Sequence, residues 1–368
     1  MPETDLTPAS AAAPAAETPV PAFVIRALTP AEYPAEAALV RAAYAESTYG
    51  AELAGDTSWA AVERDTAGRD AGGRILVAAR GDELLGAVSV LRGGSHYTKL
   101  AAPGEAELRL LVVSPAARGA GVGEALARAG IEEALRWGAS EVRLDTGVRN
   151  PAARLYARIG FERTPERDAE LDDTGYGSSL SFTYPLQERA DVRVREIRAE
   201  EIPEISELVL AAYRDDYEGL PAEYLAEIAD VAARAAQHRV WVAEDAAQGA
   251  LLATITTPLP GETLSDVARP GEMDLRLLGV GRVARGRGIG SLMMRHGLRL
   301  GRIRAVSQVV LNTSTEMVAA YEMYDRMGFA RLRDRELDIT REDGTSFRLL
   351  AYGIDPAEAP LRRAARAA

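Results

Sequence analysis

The chain contains no cysteine among its 368 residues. This absence excludes disulfide bonds, a thiolate nucleophile and a cysteine-ligated metal, and it is compatible with a cytoplasmic protein. The chain also lacks a run of about 18 apolar residues, the length that a membrane-spanning helix needs, so we expect no membrane partner. Its three histidines show no spacing typical of metal ligands, and we predict no metal site.

Basic residues are in the minority, since 43 Lys and Arg stand against 55 Asp and Glu and leave a net charge of −12. Nucleic-acid binding by counterion release needs clustered basic residues, so this balance argues against a nucleic-acid partner. It weakly favours cationic or amine-bearing substrates, although an acidic balance is also a common solubility feature.

The length of the chain exceeds that of one ordinary hydrophobic core and favours two domains. Residues 1–22 are rich in Ala, Pro and acidic residues and lack the basic and apolar regions of a secretory signal. We interpret them as a disordered tail.

The sequence repeats itself at an interval of about 167 residues. The segment ELRLL at 107–111 recurs as DLRLL at 274–278, a shift of 274 − 107 = 167. The segment RGAGVG at 118–123 recurs as RGRGIG at 285–290, and LYARIGF at 155–161 matches MYDRMGF at 323–329. Anchors that recur in the same order indicate a duplicated domain rather than a short-period repeat.

We therefore predict two units, residues 23–187 and 192–355, with a joint at 187–191 and a flexible tail at 356–368. Each unit reads as strand, helix pair, hairpin, long strand, glycine loop, helix, strand, helix and strand. The predicted fold class is α/β, with a mixed, mostly antiparallel twisted sheet flanked by helices in each unit.

The glycine-rich segment after each long strand has the chemistry of an anion site. Glycines let the backbone approach a ligand closely, and successive N–H groups and a helix N-terminus point at negative charge. The spacing differs from that of a Walker A loop and from a dinucleotide-binding fingerprint. The predicted pyrophosphate-binding residues are Arg118, Gly119, Ala120, Gly121, Val122 and Gly123, and their repeats Arg285, Gly286, Arg287, Gly288, Ile289 and Gly290.

In these motifs the chain resembles the GNAT acyltransferase superfamily, in tandem. The resemblance implies that each loop holds the pyrophosphate of acetyl-CoA and that the preceding strand pairs with its pantetheine arm, here Leu111, Val112 and Val113, and Leu278, Gly279 and Val280. It also implies a coenzyme contact from Asn150. Val318 stands at that position in the second unit, which puts this contact in doubt there.

The resemblance further implies the catalytic residues. Tyr156 and Tyr324 are the expected acids at the thioester sulfur, and Glu107 and Asp274 are the candidate bases. A backbone N–H of the bulged strand, that of Val113 or Val280, would hold the oxyanion. The alternatives are core aromatic rings for the tyrosines and solvated strand ends for the carboxylates, while Arg109 and Arg276 are interpreted as structural or exposed.

The expected activity is therefore transfer of an acyl group, most simply acetyl, from coenzyme A to a primary amine of a small molecule or peptide. Alternatives are one catalytic unit beside a non-catalytic acyl-CoA-binding unit, an enzyme similar to mycothiol synthase, and a non-catalytic binding protein. A fused pair is expected to be a monomer with an internal pseudo-dimer, or else a homodimer. Predicted acceptor-selecting segments are 44–58, 93–105, 168–176, 215–218 and 258–272.

Overall fold

A computed structural model describes residues 23–54, 57–168, 179–217, 219–340, 344 and 346–359, with side chains at all of these except 52 and 57–59. The predicted N-terminal tail and residues 360–368 lie outside this part of the chain, as do most of 168–176 and residue 218. Among the described residues, no helix combines the length and apolar character needed to cross a bilayer.

The first half forms one sheet with helices on both faces. Its strands lie in the order β1-β2-β3-β4-β5-β7-β6, and β4 and β5 are parallel neighbours in an otherwise antiparallel sheet. The elements are β1 (Val24–Ala27), α1 (Tyr33–Ala45), α2 (Gly50–Leu53), α3 (Thr57–Arg64), α4 (Thr66–Ala71), β2 (Gly73–Arg80), β3 (Glu83–Arg92), β4 (Ala106–Val113), α5 (Val122–Arg136), β5 (Glu141–Gly147), α6 (Ala152–Ile159), β6 (Glu162–Arg163) and β7 (Ser179–Pro185).

The second half repeats this order, but its sheet is split in two. One part has the order β12-β10-β9-β8, and the other has β11-β13-β16-β14 with β15 paired to β16. The elements are β8 (Val192–Glu196), α7 (Ile202–Asp216), α8 (Ala222–Ala229), α9 (Val231–Gln237), β9 (Arg239–Asp245), β10 (Leu251–Thr257), β11 (Glu272–Asp274), β12 (Arg276–Val280), α10 (Ile289–Arg304), β13 (Gln308–Ser314), α11 (Val318–Arg326), β14 (Ala330–Arg331), β15 (Leu337–Thr340) and β16 (Ser346–Ile354).

The predicted α/β class, both hairpins and both glycine-loop helices are confirmed. Two details of the prediction are wrong. The predicted long strand of the second half breaks at Leu275 into β11 and β12, and the predicted helix pair becomes α1 to α4 in the first half and α7 to α9 in the second. The break lies at the point where the strand stops pairing with its parallel neighbour β13.

Helix α10 shows why these segments fold as they do. Its apolar residues recur at helical spacing, so one face of the helix lies on the sheet, where Leu292, Met293 and Leu300 are almost fully buried. His296 lies on the same face, edge-on to the Trp241 ring at 4.4 Å. Burial lowers the pKa of His296 to about 3, so this histidine is a neutral core residue, as its position on the apolar face predicts.

The two halves pack against each other through α5 and α10, and their buried apolar side chains form one continuous cluster. Glu132 on α5 pairs with Arg304 at the end of α10 at 2.6 Å, and both side chains are at most 10% exposed. Arg128 on α5 donates hydrogen bonds to the carbonyls of Arg302 and Ile303, at 3.0 and 3.3 Å. These carbonyls belong to the last turn of α10, where the helix no longer supplies N–H donors to its final C=O groups.

The first residues of the predicted C-terminal tail are packed, which corrects the prediction of flexibility from residue 356. Ala359 is buried in the shared core. Arg302 donates hydrogen bonds to the carbonyls of Pro356, Ala357 and Ala359. The packed part of the second half therefore extends at least to residue 359.

We expect Arg304→Met to lower the free energy of unfolding by about 3 kcal/mol, because it leaves the buried Glu132 carboxylate without its cation. Chemical denaturation measures this change. The matched control is Arg348→Met, which removes an exposed pair with Asp338 and should have no measurable effect. A loss below about 1 kcal/mol for Arg304→Met would show that this pair does not hold the halves together.

Candidate functional site

A β-bulge occurs at the same place in both halves. Leu110 and Leu277 have left-handed backbone conformations, with φ of 53° and 56°. In the second half Thr254 pairs with Gly279 and Thr256 with Arg276, so Leu277 and Leu278 together oppose a single residue of β10. A left-handed leucine is strained, and a bulge of this kind bends its strand away from the sheet.

Beyond the bulge, the central strand separates from its parallel neighbour. In the second half β11 pairs with β13 up to Asp274, and the Leu275 N–H donates to the Val310 carbonyl at 3.0 Å. Among the described residues, β12 then pairs only with β10. In the first half β4 pairs with β5 only at Ala106 and Glu107. Each half therefore has an opening in its sheet, bounded on one side by an unpaired strand edge.

The backbone N–H groups along this edge point into the opening. The Gly281 N–H donates to the Leu252 carbonyl of β10 at 2.9 Å. Because N–H groups alternate between the two edges of a strand, those of Leu278 and Val280 point away from β10. The first half repeats the arrangement, since the Ser114 N–H donates to the Leu85 carbonyl. This geometry is compatible with the predicted oxyanion role of the Val113 and Val280 N–H groups.

The glycine loops have the backbone geometry of an anion site. The φ angles of Gly119, Gly121, Gly286 and Gly288 lie between 74° and 82°, a region that favours glycine. A Cβ built on any of the four meets no atom within 4 Å, so the space beside the loop is open. The first turns of α5 and α10 begin there with N–H groups that have no partner inside their helix. A pyrophosphate group fits this chemistry.

In the second half the loop borders a cavity of about 370 Å³, whose wall includes Arg285, Gly286, Gly288, Ile289 and Gly290. The guanidinium groups of Arg118 and Arg285 lie close to carboxylates. Arg285 pairs with Asp216 at 3.0 Å, and Arg118 lies 3.8 Å from Glu46. The backbone of the loop, rather than these side chains, is therefore what faces a bound anion.

A larger cavity of about 910 Å³ passes through the opening of the second half. On one face of the sheet its wall includes Gly290, Met294, Met323 and Tyr324 of α10 and α11. On the other face it includes side chains of α7 and α8, namely Tyr213, Asp216, Tyr217, Glu223 and Tyr224. Leu278 and Val280 of the unpaired edge line it between the two. The cavity thus joins both faces of the sheet.

Tyr324 lies in the wall of this cavity and is buried, with its ring tilted against that of Phe329 and edge-on to that of Tyr352. Burial raises the pKa of its hydroxyl above the ordinary value. Tyr156 has the matching position in the first half, against Phe161 and Phe182, and burial raises its pKa as well. Both hydroxyls are therefore protonated at neutral pH and can donate a hydrogen bond.

The opening of the first half is filled by side chains. Tyr49 packs on Gly147, where a Cβ would lie 2.2 Å from the Tyr49 hydroxyl. That hydroxyl accepts a hydrogen bond from the Arg149 N–H at 2.8 Å, and Lys99 forms an ion pair with Asp145 on β5. At the positions equivalent to Asp145 and Gly147, the second half has Asn312 and Ser314, which both line its cavity.

Glu107 and Asp274 hold the loop that precedes the central strand. Both side chains are 0% exposed, which excludes a solvated strand end. Glu107 accepts hydrogen bonds from the N–H groups of Lys99, Leu100 and Ala101, and Asp274 accepts them from the Leu264 N–H and the Ser265 hydroxyl. Asp274 does not belong to the wall of the large cavity in its half. These contacts give both carboxylates an anchoring role, and the role of general base stays a prediction.

Asn150 accepts a hydrogen bond from the Ala152 N–H at 3.0 Å and thereby fixes the start of α6. In the second half the Ser314 hydroxyl accepts a hydrogen bond from the Glu316 N–H in the turn before α11, and Val318 is the exposed first residue of that helix. The coenzyme contact expected of Asn150 stays a prediction.

Sequence reasoning missed part of the cavity wall. Tyr224 belongs to no repeated segment or motif, and Tyr213 was used only to align the two repeats. Both line the cavity, and their rings pack edge to face. Arg276 lines the cavity and lies 3.4 Å from Glu227, whereas its counterpart Arg109 donates to the Tyr97 carbonyl at 2.6 Å. Of the two arginines, only Arg109 has the predicted structural role. Among the described residues no group of His, Asp and Glu converges to hold a metal ion.

A sequence model of the acetyltransferase (GNAT) family matches the chain twice, over residues 39–161 and 202–329, which together exceed half of its length. The chain belongs to the GNAT acetyltransferase family. Its two matched segments each contain a glycine loop, a central strand with one unpaired edge and a buried tyrosine.

Individual relatives of this GNAT protein are distant. The mycothiol acetyltransferase of Pseudarthrobacter chlorophenolicus is 36% identical over 100 residues, and the match spans about a quarter of each chain, 26% in both cases. Similar solved structures include the spermidine N-acetyltransferase of Vibrio cholerae in complex with CoA and spermine, which is 15% identical with a TM-score of 0.34 over 46% of this chain and 98% of that one. The ribosomal-protein-S18-alanine N-acetyltransferase of Escherichia coli is 18% identical, with a TM-score of 0.33 over 45% and 94%.

We expect Glu107→Gln to lower the free energy of unfolding by about 2 kcal/mol, because one carboxylate oxygen accepts all three N–H groups of the loop and a neutral amide oxygen is a weaker acceptor. Asp274→Asn should cost less than about 1 kcal/mol. One oxygen still accepts from Leu264, and the Ser265 hydroxyl can rotate to accept from the new amide. Urea denaturation of the two variants compares them, and equal stability of Glu107→Gln and the unsubstituted protein would refute the anchoring role.

Proposed function

We propose that this chain is an acyl-CoA-dependent N-acyltransferase and that its second half carries out the transfer to a primary amine of a small molecule or peptide. One observation carries the proposal: a single cavity joins an unpaired strand edge, a buried tyrosine and the face of α7 and α8, beside the glycine loop. Donor and acceptor can thus approach one point from opposite faces of the sheet.

The donor would lie on the face covered by α10 and α11. The N–H groups of residues 286–290 and the positive end of α10 suit a pyrophosphate, and the free edge of Leu278 to Val280 suits an extended amide-containing chain. Gly290 belongs to the walls of both cavities, so the two are continuous at the start of α10. Coenzyme A has both chemical parts in this order.

The acceptor would enter between α7, α8 and the β15–β16 hairpin. Three carboxylates, those of Asp216, Glu223 and Glu316, lie in the cavity wall and favour a cationic amine. An alkylamine with a pKa near 10 must lose a proton before it can attack. The apolar parts of the wall, among them Leu220, Met317 and Phe347, promote that loss because they disfavour a buried charge.

In the proposed reaction the amine nitrogen forms a bond to the thioester carbon, the carbon–sulfur bond breaks, and the proton lost by the amine finally resides on the sulfur. The N–H of Leu278, which points into the same opening as that of Val280, is proposed to stabilise the charge that develops on the carbonyl oxygen. Tyr324 is proposed to hydrogen-bond to the leaving sulfur. A phenol is a weaker acid than a thiol by about 1.5 pKa units even before burial, so Tyr324 relays a proton rather than losing it permanently.

We assign a different role to the first half. Its glycine loop keeps the geometry for a coenzyme, but Tyr49 and the Lys99–Asp145 pair fill its opening. We propose that 23–187 is a structural or acyl-CoA-binding unit, that 192–355 is the catalytic unit, and that the chain is a monomer because α5 and α10 already form the pair within it. Size-exclusion chromatography with light scattering tests the monomer.

A second candidate acceptor class follows from one comparison. The relative named as a mycothiol acetyltransferase matches this chain at 36% identity over 100 residues. An amine acceptor on the route to mycothiol therefore belongs in any substrate panel, beside polyamines, amino acids and peptide N-termini. Acetylation of that acceptor, and of no other member of the panel, would assign the protein to this acceptor class.

The test of the proposed function is acetyl transfer by Tyr324→Phe and Tyr156→Phe across that panel. We expect Tyr324→Phe to lower kcat by about 100-fold, because the leaving sulfur loses its hydrogen-bond donor. Tyr156→Phe, the matched change in the first half, should leave kcat within about twofold. The opposite pattern would place the chemistry in the first half, and no transfer to any amine by the unsubstituted protein would refute the proposal.

The pH dependence follows from the raised pKa of Tyr324. A tyrosine of ordinary pKa would lose its proton near pH 10 and with it the ability to donate. Because the pKa is raised, we expect kcat to rise with deprotonation of the amine and to show no fall near pH 10. A falling limb centred near pH 10, absent in Tyr324→Phe, would show that the hydroxyl titrates normally.

A further inference from the structure

Thr313, near the end of β13, has a buried hydroxyl without a hydrogen-bond partner among the described residues. Its side chain is 3% exposed, and the oxygen is shielded from solvent. The residue nevertheless lies in the wall of the large cavity of the second half. A buried hydroxyl is normally satisfied, so an unsatisfied one at a cavity wall indicates a partner that arrives with a ligand.

The register of the strands places Thr313 across the opening from the bulge. Asp274 pairs with Val310 in the last parallel pair of β11 and β13. Thr313 follows Val310 by three residues, and Leu277 follows Asp274 by three residues. Thr313 therefore lies level with Leu277, three residues beyond the closed end of the opening at Asp274 and Val310, and farther from the glycine loop than Val280 is.

Thr313 also lies on the face of the sheet that carries the donor in the proposed function. Alternate residues of a strand share a face, and Val309 and Leu311 belong to the same buried cluster as α10 and Tyr324. The other side chains that line the cavity on this face near its closed end are apolar, namely Ile255, Leu275, Met294 and Leu311. Among the described residues that line the cavity on this face, Thr313 and Tyr324 are therefore the two whose hydroxyl groups could bind a polar atom of the ligand at this end.

We propose that the Thr313 hydroxyl donates a hydrogen bond to the thioester carbonyl oxygen of the bound acyl-CoA, as a second donor beside the strand N–H. This inference rests on the proposed function of the second half. An acyl thioester carries one oxygen at its reacting end, and that oxygen accepts hydrogen bonds. The amides of the pantetheine arm would then lie nearer to the glycine loop, along the backbone edge toward Val280. Thr313 is thus a substrate-contacting residue that stabilises the acyl donor.

The chain offers a matched control in Thr254 of β10. Its hydroxyl is likewise buried and without a partner among the described residues, and Thr254 pairs with Gly279. It does not belong to the cavity wall. Thr254→Val removes a hydroxyl that is also buried and without a partner among the described residues. It should not change ligand binding, because Thr254 does not line the cavity.

The experiment is calorimetric titration of the full chain and of Thr313→Val, Thr313→Ser and Thr254→Val with acetyl-CoA and with CoA. We expect Thr313→Val to weaken acetyl-CoA binding by about tenfold and to leave CoA binding unchanged, because CoA has no acyl oxygen. Thr313→Ser and Thr254→Val should bind both as the unsubstituted protein does. Neither valine variant should have a lower Tm, since each removes an unsatisfied group.

Unchanged acetyl-CoA affinity in Thr313→Val would overturn the inference while leaving the proposed function intact. Equal weakening of CoA and acetyl-CoA would place the hydroxyl on the pantetheine arm and overturn the assignment to the thioester. Failure of the unsubstituted protein to bind either ligand would overturn the proposed function itself. The three failures are therefore distinguishable.

Discussion

The structure depends on one strained backbone position, a left-handed leucine in the central strand. The conformation costs about 1–2 kcal/mol at a residue other than glycine, and the chain adopts it at both Leu110 and Leu277. The resulting bulge separates the central strand from its parallel neighbour. The opening, the unpaired N–H edge and the cavity through the sheet all follow from that separation. A regular strand would have paired along its whole length and left no site.

The two halves share one order of strands and helices but differ in the side chains at the opening of the sheet. In the first half Tyr49 lies on Gly147, and Lys99 pairs with Asp145, so the opening contributes packing and an ion pair. In the second half Asn312 and Ser314 stand at the equivalent positions and the opening remains a cavity. The first half thereby gains the packing of Tyr49 and the Lys99–Asp145 ion pair, whereas the second half has a cavity at the equivalent positions. Because α5 and α10 share one core, the filled half can support the open half through direct packing.

The fold could be predicted from the sequence where a pattern is local. The glycine loops, the hairpins and the apolar face of α10 each follow from residue spacing, and the duplication confirmed their register. The bulge at Leu277 had no such signal, because nothing in a leucine marks a left-handed conformation. The anchoring role of Glu107 depends on N–H groups of residues 99–101, a contact that strand periodicity does not reveal. For the same reason no pattern singled out Thr313, whose isolation results from its apolar neighbours in three dimensions.

The central claim is that the opening of the second half binds the acyl donor. Calorimetric titration of Gly288→Glu with acetyl-CoA tests it most directly, with Gly288→Ala as the control for backbone strain at this left-handed position. The account predicts that Gly288→Glu lowers the binding stoichiometry by one site, because the carboxylate repels the pyrophosphate, while Gly288→Ala keeps that site. Unchanged stoichiometry and affinity in Gly288→Glu would contradict the account.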